Sequence, residues 1–554
     1  MAPRTSDPAQ AFAEALALFR EGRLDPAEKI AARLHKAFPD HFDILHLAGL
    51  IKLQQGRAAA ALGLIEAALA RNPQSPEALA NLAMALSALD RNAEALAAVD
   101  KALTLAPDSL DALNNRGTVL LKLHRADEAA DVFAQLLARE PRHLGVRMNR
   151  ANALAEAGRP AEALADYDAV LAVAPMQAEA HYNRGNALRA LDRHADAVAA
   201  YDRALALRPD YGNALLNRAL ARQSLGQAKE ALADLDQVLA RDKASADAQH
   251  NRALLQLTLG DFRGFAGYEY RWQRTGMPAK RRSFGKPLWL GEYPLARKTI
   301  LLHAEQGLGD TIQFARYAPL LARAGATVML EAPAELTSLL ARIDGVARVV
   351  PAGEPLPPFD VHCPVGSLPL ALRTDPATIP AEIPYLTADP SRVESWRARL
   401  QSLPAPRVAL AWSGRAAHVN DRNRSIALSQ LAPLLAAPAG FVSVQRELRE
   451  ADAQVLSEQP QVLHVGAELH DFDDTAAVLS LADVVITVDT AVAHVAGALG
   501  RPTWILVPFW PDWRWMLDRA DSPWYPTARL FRQPTPGDWT SVIEAVRREL
   551  ARLP

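Results

Sequence analysis

Small and turn-forming residues recur every 34 residues through the first half of the chain, in step with blocks of apolar residues. An alanine holds one register, at Ala27, Ala61, Ala95, Ala129, Ala163, Ala197 and Ala231. A proline holds a second, at Pro39, Pro73, Pro107, Pro141, Pro175 and Pro209. A turn-type or small polar residue holds a third, at Gly22, Gly56, Asp90, His124, Gly158, Asp192, Gly226 and Gly260. Three registers in step predict a series of repeated structural units.

Each register suits a pair of antiparallel helices. A proline after the second helix cannot continue it, a glycine permits the tight turn between the helices, and an alanine lets them approach closely. The period of 34 residues is typical of tetratricopeptide repeats. We therefore predict an all-α solenoid of about seven to eight units over residues 1–270, with an atypical final unit at 259–272.

An asparagine recurs in the first helix of the units, at Asn81, Asn115, Asn149, Asn183, Asn217 and Asn251. Stacked units place these side chains in one line on the concave face. Amides can pair with the backbone of an extended peptide, so the line is a candidate groove for a protein or peptide acceptor. The alternative is that each asparagine hydrogen-bonds its neighbouring repeat. The register resembles the asparagine ladder of the nucleocytoplasmic protein O-linked N-acetylglucosamine transferases.

Composition narrows the class of protein. The 554 residues carry a net charge of −2, without the basic excess of a nucleic-acid binder. The single cysteine, Cys363, excludes a disulfide framework and a cysteine-based zinc site. No apolar run reaches the ~20 residues of a membrane span, and the first ten residues lack the layout of a secretory signal. We expect a soluble, cytoplasmic protein.

The chain changes character near residue 270. All ten tryptophans lie at Trp272 or later, whereas alanine dominates the earlier part. Residues 271–298 carry eight basic side chains against one acidic residue, Glu292, together with prolines and glycines that argue against a helix. We interpret this segment as a solvated basic linker. The alternative is a positive lip over a neighbouring phosphate site.

Strand-like runs alternate with helical stretches from Thr299 onward, and the alternation restarts after Pro406. This pattern predicts parallel sheets. We assign two Rossmann-like α/β halves, at 299–400 and 401–554. Ligands of such sheets bind beyond the carboxyl ends of the strands, so the segments that follow the strands are the candidate sites.

The segment EQGLGDT (305–311) follows the first strand. Gly307 and Gly309 allow close backbone approach, and a helix starting near Thr311 points free N–H groups at a ligand. Asp310 either caps that helix or acts as a general base in the cleft. The spacing of the glycines does not fit a dinucleotide cofactor.

A loop rich in arginine follows the strand that ends at Trp412. The loop holds Arg415, His418, Arg422 and Arg424. The residues that we assign to the donor here are Trp412, Ser413, Arg422 and Arg424. Arginines on such a loop suit a diphosphate, because they bind its oxygens bidentately. The alternative is ordinary surface charge.

The segment that begins with Asp489 is a second candidate for phosphate binding. A strand ends at Asp489, a helix starts at Thr490, and its first-turn N–H groups can hold a phosphate. His494 lies one turn into this helix, either facing the cleft or buried in the core. The tryptophan-rich stretch 507–526 is interpreted as a packing block rather than an aromatic sugar platform.

Three Asp-x-Asp sequences resemble the metal-binding motif of some sugar transferases. Those at 166–168 and 234–236 lie in the middle of repeat helices, and we interpret them as solvated helix surface. The one at 471–473 precedes a helix and is explained as its cap. We predict no metal site.

The second half resembles the heptosyltransferase-like sugar transferases of glycosyltransferase family nine. GLGDT (307–311) and VDTAVAH (488–494), followed by AGALGRP (496–502), carry the resemblance. It implies a GT-B fold of two Rossmann-like halves, with the acceptor at the first half and a nucleotide-sugar donor at the second. It also implies that Asp310 is catalytic and that Asp489, Thr490 and His494 contact the donor. The family usually has a lysine near the donor phosphates, where this chain offers Arg422 or Arg424.

The layout is similar to that of bacterial tetratricopeptide proteins with a glycosyltransferase-like domain. The main hypothesis is a metal-independent, inverting glycosyltransferase that uses a nucleotide-diphosphate sugar as substrate and needs no other cofactor. The repeats would recruit the acceptor. The rival hypothesis is a non-catalytic scaffold whose second half only senses a nucleotide sugar.

Overall fold

The computed structural model describes residues 7–274, 281–417 and 420–553. The chain divides into two compact units, Met1–Arg218 and Ala219–Pro554, and the division falls within one helix, Gly212–Ser224. The first unit is helical throughout its described part, whereas the second contains the end of the repeats and two parallel sheets. The predicted fold class, a helical repeat solenoid followed by α/β halves, is confirmed.

The repeat helices form consecutive pairs of similar length. They are α1 (Pro8–Arg20), α2 (Leu24–Ala37), α3 (Phe42–Gln54), α4 (Ala58–Arg71), α5 (Pro76–Ala88), α6 (Asn92–Leu105), α7 (Leu110–Lys122), α8 (Ala126–Arg139), α9 (Leu144–Glu156), α10 (Pro160–Val173), α11 (Ala178–Ala190), α12 (His194–Leu207), α13 (Gly212–Ser224), α14 (Ala228–Arg241) and α15 (Ala246–Thr258). A short helix, α16 (Gly264–Tyr268), and a 3-10 turn, Glu269–Gln273, complete the series.

The sequence registers have the structural roles that were predicted for them. The alanines of the first register, from Ala27 to Ala231, are all fully buried. The turn residues, from Gly22 to Gly260, all have φ between +56° and +81°. This left-handed backbone conformation favours glycine, and three residues with polar side chains, Asp90, His124 and Asp192, also adopt it.

The interpretation of two Asp-x-Asp sequences as solvated surface is wrong for their first residues. Asp166 is buried and accepts hydrogen bonds of 2.6 Å from Arg150. Asp234 is likewise buried, with Arg222 at 2.7 Å. The ion pairs explain the burial, because a carboxylate can leave water when a guanidinium bonds it.

The second unit holds two sheets whose strands are all parallel within the described part of the chain. The first has the order β3-β2-β1-β4, and the second the order β10-β9-β8-β5-β6-β7. The strands are β1 (Thr299–His303), β2 (Thr327–Ala332), β3 (Val346–Pro351), β4 (Val361–Pro364), β5 (Arg407–Ala411), β6 (Gly440–Ser443), β7 (Val462–His464), β8 (Val484–Val488), β9 (Thr503–Val507) and β10 (Ala528–Arg532). β10 was not predicted from the sequence.

Helices connect these strands and cover the sheets. They are α17 (Leu308–Ala315), α18 (Ala318–Arg323), α19 (Ala334–Leu340), α20 (Leu368–Ala371), α21 (Pro390–Leu400), α22 (Asp421–Arg424), α23 (Leu428–Leu435), α24 (Glu450–Ser457), α25 (Phe472–Leu481), α26 (Ala491–Ala498) and α27 (Trp539–Leu550). α25 begins with the predicted cap, since Asp471 accepts the N–H groups of Asp473 and Asp474. None of the helices in the described ranges combines the length and apolarity of a membrane span.

The segment predicted as a solvated linker is partly built into the second unit. Arg271 and Trp289 are buried, and Leu288 pairs with β4 through a single bridge to His362. The prediction of a solvated segment assumed that its charges are exposed. Arg271 is buried instead, because it pairs with the carboxylates of Glu269 and Glu305. Residues 275–280 of this segment lie outside the described residues.

Candidate active site

The strand order places the candidate site. In the larger sheet, β5 and β8 are neighbours, and the chain proceeds from them towards opposite edges. Ligands of open α/β sheets bind beyond the carboxyl ends of the strands at such a switch point. The segment after β8 and the loop after β5 lie at this switch point. The imidazole of His494, on α26, lies against Gly309 of α17.

Asp310 lies in the first turn of α17, which begins at Leu308 rather than near Thr311. Gly307 is the N-cap residue and donates its N–H to Asp310 Oδ2 at 2.9 Å. This bond is one half of a capping box, in which a carboxylate in the first turn accepts the N–H of the cap residue; the other half needs a cap side chain, which glycine lacks. Asp310 also forms an ion pair with Arg514, 204 residues away in the chain.

Arg514 is the functional candidate that the sequence analysis missed. Its side chain is only 8% exposed, and besides Asp310 it pairs with Asp512 at 2.8 Å. Although burial acts to lower the pKa of Arg514, the two carboxylates raise it above its ordinary value. The guanidinium also lies 4.4 Å from the ring of Trp513. The signal in the sequence was an arginine within the tryptophan-rich stretch that we interpret as a packing block, because an unpaired charge in such a block is costly.

Asp489 and Arg424 meet at the carboxyl ends of β8 and β5. Arg424 Nη1 donates to the backbone oxygen of Asp489 at 3.1 Å. Burial, together with the nearby carboxylate of Asp512, raises the pKa of Asp489 to about 6. A Cβ on Gly414 would lie 2.6 Å from Arg424 Nη2, so the glycine makes room for the guanidinium. Asp489 and Arg424, which were singled out in separate segments of the sequence, are therefore in contact in the structure.

His494 is enclosed in an aromatic setting. Its Nδ1 lies 2.9 Å from the hydroxyl of Tyr525, and its ring stacks on Trp515 with centroids 5.6 Å apart. Burial lowers the pKa of His494 well below its ordinary value, so the ring is neutral near pH 7. A Cβ on Gly309 would lie 2.6 Å from His494 Cδ2. The close approach at Gly309 is therefore to this imidazole.

Trp412 points into the core of the second half. It is 1% exposed, and its Nε1 donates to Asp452 at 3.0 Å. Its backbone N–H and that of Ser413 both donate to Gln445 Oε1 at 3.1 Å. The side chain of Trp412 therefore does not face the donor side as predicted, and it anchors the loop to the core instead. The hydroxyl of Ser413 is buried without a partner among the described residues.

The remaining donor candidates lie on the same loops. Thr490 is the N-cap residue of α26, and its hydroxyl lies 3.3 Å from that of Thr487. Arg422 is exposed on α22. His418 lies outside the described residues.

The asparagine ladder bonds from repeat to repeat in the first unit. Asn115 donates to the backbone oxygen of Ala80 at 3.2 Å. The equivalent amides of Asn81, Asn149, Asn183 and Asn217 contact side chains of the preceding repeat at 2.8 to 3.4 Å. Asn251, in the second unit, is buried. These bonds fit the structural alternative, and peptide binding by the ladder stays a prediction.

Comparisons with known proteins agree with this architecture. The family described as tetratricopeptide repeat matches residues 12–76, 46–109, 78–143, 114–169 and 148–212. The family described as glycosyltransferase family 9 (heptosyltransferase) matches residues 442–506. The latter stretch includes Asp489, Thr490 and His494. The chain thus carries tetratricopeptide repeats and, nearer its C-terminus, a stretch that matches glycosyltransferase family 9, as its motifs predicted.

The relatives and solved structures that resemble this chain match only part of it. Protein FlbA of Caulobacter vibrioides is 29% identical over 314 residues, which cover 52% of this chain and 52% of FlbA, so the match spans about half of that relative. A tetratricopeptide repeat protein from Parabacteroides merdae is 17% identical, covering 45% of this chain and 98% of that one, with a TM-score of 0.36. TTC0263, a thermophilic TPR protein in Thermus thermophilus, is 25% identical over 33% of this chain and 99% of that one, with a TM-score of 0.30.

Proposed function

We propose that this protein is an inverting, metal-independent glycosyltransferase that uses a nucleotide-diphosphate sugar. The observation that supports the proposal is the arrangement at the strand ends. Asp310 forms an ion pair with Arg514, and Arg514 also pairs with Asp512. Arg424 donates to the backbone oxygen of Asp489, whose pKa the nearby carboxylate of Asp512 helps to raise. The match of residues 442–506 to glycosyltransferase family 9 supports the same class of reaction.

Asp310 is the proposed general base. The acceptor hydroxyl oxygen bonds the anomeric carbon, the bond from that carbon to the diphosphate oxygen breaks, and the hydroxyl proton passes to Asp310. The nucleoside diphosphate leaves with the electron pair. Arg514 and the N–H of Gly307 fix the carboxylate, which retains lone pairs for the acceptor because an ionised carboxylate accepts about four hydrogen bonds.

The diphosphate is assigned to the second half. Arg424 and the N–H groups at the start of α26, next to Thr490, supply positive potential for the leaving group. Arg422 lies on the same loop region and is a second candidate. His494, being neutral, is assigned a hydrogen bond to the donor rather than a charge.

The repeats are proposed to recruit a protein or peptide acceptor. Tetratricopeptide units present a long concave surface, which suits an extended ligand. The protein would then act on a partner held by the repeats. The rival proposal, a scaffold that senses a nucleotide sugar without turnover, requires the same donor site and differs only in catalysis.

The first experiment separates these proposals. Thermal-shift measurements with ADP, GDP, UDP and their hexose conjugates should identify a stabilising nucleotide, and the same conjugate should be hydrolysed or transferred. Asp310→Asn should lower turnover by about 10²–10⁴-fold while donor binding persists. Asp344→Asn, an exposed carboxylate away from the site, is the matched control.

The outcomes are distinct. Binding without turnover in the unaltered protein favours the sensor. Full turnover in Asp310→Asn rejects the assigned base, and the absence of any shift with all nucleotides rejects the donor site.

A further inference from the structure

The end of the repeat series is packed into the α/β core of the second unit. Leu257 of α15 belongs to the same buried cluster as the tryptophans of 513–524. Phe262 stacks on Trp524 with centroids 5.8 Å apart, and Phe265 meets Trp513 edge-on at 5.5 Å. Buried aromatic contacts of this kind fix the orientation of the elements that carry them.

Polar contacts from the same repeat end reach the loop before Asp310. The hydroxyl of Tyr268 donates to Gln306 Oε1 at 2.9 Å. Arg271 Nη2 donates to Glu305 at 2.8 Å and to Ser367 Oγ at 2.8 Å, and its Nη1 donates to Glu269 at 2.6 Å.

This cluster is buried and tightly fitted. The side chains of Arg271 and Glu305 are 1% and 3% exposed. A Cβ on Gly366 would lie 2.3 Å from Glu305 Oε1, so the carboxylate has little room to move. Burial raises the pKa of Glu305 to about 7, while Arg271 opposes that shift. A charged pair in such a place has a large desolvation cost, and its geometry must be well made to offset it.

Two routes therefore connect the repeat end to the proposed base. One runs through Glu305 and Gln306, which immediately precede the Gly307 N–H that bonds Asp310. The other runs through Trp513, which Phe265 and Tyr268 contact and which is adjacent to Arg514, the ion-pair partner of Asp310. Both groups that hold the carboxylate are thus supported from residues 257–271.

We propose that the end of the repeat series positions the catalytic carboxylate, with Tyr268 and Arg271 as positioning residues for Asp310. This proposal rests on the proposed function. It implies that the catalytic unit begins within the repeats and that the last repeat is part of the transferase. Small displacements of a reacting group carry large rate penalties, which gives the contacts their importance.

The main test removes one hydroxyl from the full-length protein. Tyr268→Phe should lower kcat for nucleotide-sugar hydrolysis about ten- to hundredfold and leave the donor KM unchanged, since the donor contacts lie on other loops. Hydrogen–deuterium exchange of the peptide 304–310 should become faster. Tyr270→Phe, in the same segment, is the matched control, because the bond to Gln306 comes from Tyr268.

A second variant tests the buried pair. Arg271→Lys keeps the charge opposite Glu305 but loses the guanidinium fork, so it should retain more activity than Arg271→Gln. Unfolding of Arg271→Gln would leave Tyr268→Phe and Arg271→Lys as the deciding variants.

The inference and the proposed function fail in different ways. If the unaltered protein hydrolyses none of the ADP-, GDP- or UDP-hexoses, the proposed function fails, and the exchange measurement still tests whether Tyr268 holds the loop. If the unaltered protein is active while Tyr268→Phe and Arg271→Lys match it in kcat and in exchange at 304–310, the positioning role is overturned.

Discussion

The two units satisfy their charges in different ways. In the first unit, Arg116, Arg184 and Arg218, which follow ladder asparagines, each pair with an aspartate sixteen residues earlier. Arg150 pairs instead with Asp166, sixteen residues later. In the second unit, Asp310 pairs with Arg514, which lies 204 residues away in the chain. The local arrangement recurs from repeat to repeat, so one substitution leaves the other copies in place, whereas Asp310 and Arg514 depend on each other.

The difference also concerns exposure. The Arg184–Asp168 pair of the repeats has side chains that are 28% and 50% exposed, against 8% and 19% for Arg514 and Asp310. Water screens the first pair and does little for the second. Equivalent substitutions in the two units should therefore have unequal effects.

The largest effect is expected when the arginine of each pair is replaced. Arg514→Met leaves two carboxylates without their partner and should cost about 3–5 kcal/mol, whereas Arg184→Met should cost about 0–1 kcal/mol. Tryptophan fluorescence reports the second unit selectively, because every tryptophan lies at residue 272 or later. Far-UV circular dichroism reports the helices of both units, so a change there without a change in fluorescence reports the first unit. Equal losses in the two variants would contradict this comparison.

Glycine substitutions should have opposite signs in the two units. Gly309→Ala places a methyl group 2.6 Å from the ring of His494, which Trp515 and Tyr525 hold in place, and should cost about 1–3 kcal/mol. Gly63→Ala, in the exposed middle of α4 with no atom within 4 Å, should stabilise its helix by about 0.5–1 kcal/mol. Urea titrations of both variants measure the difference. A neutral Gly309→Ala would show that the imidazole moves.

Donor binding should weaken as the pH rises through about 6. Below that pH Asp489 is protonated, because its pKa is raised to about 6, and above it the carboxylate repels the diphosphate. A nucleotide sugar is the suitable probe, since its doubly esterified diphosphate keeps a constant charge near neutral pH. Calorimetry should find that the Kd of the nucleotide sugar changes about tenfold for each unit by which the bound donor shifts the pKa of Asp489. Asp489→Asn should bind with little pH dependence, and an unchanged profile in that variant would assign the effect to another group.

The smallest effect is expected at the asparagine ladder. Asn183→Ala removes one hydrogen bond to Asn152 of the preceding repeat and should cost about 0.5–1.5 kcal/mol. Circular dichroism melts measure this cost. Combined alanine substitutions at Asn149, Asn183 and Asn217 test the peptide-binding prediction through partner capture. Lost capture with unchanged stability would contradict a purely structural ladder.

The sequence predicted the local features of the site better than its partnerships. Asp489 and Arg424 were found because each follows a strand, and parallel strands bring their carboxyl ends to one edge. Arg514 was missed because no period or motif links it to Asp310. Trp412 was assigned to the donor because a strand ends there, but the direction of its side chain depends on Asp452, which lies in α24.

The repeat architecture and the alternation of strands and helices can be predicted from the order of residues alone. Both follow from periodic patterns, since each helix pair repeats the same short-range contacts and each strand carries its own apolar run. The pairing of charges, the direction of the aromatic side chains and the place of the last repeat in the second unit became visible in the folded protein. Those outcomes depend on desolvation and packing between segments far apart in the chain, which leave no regular signal in the order of residues.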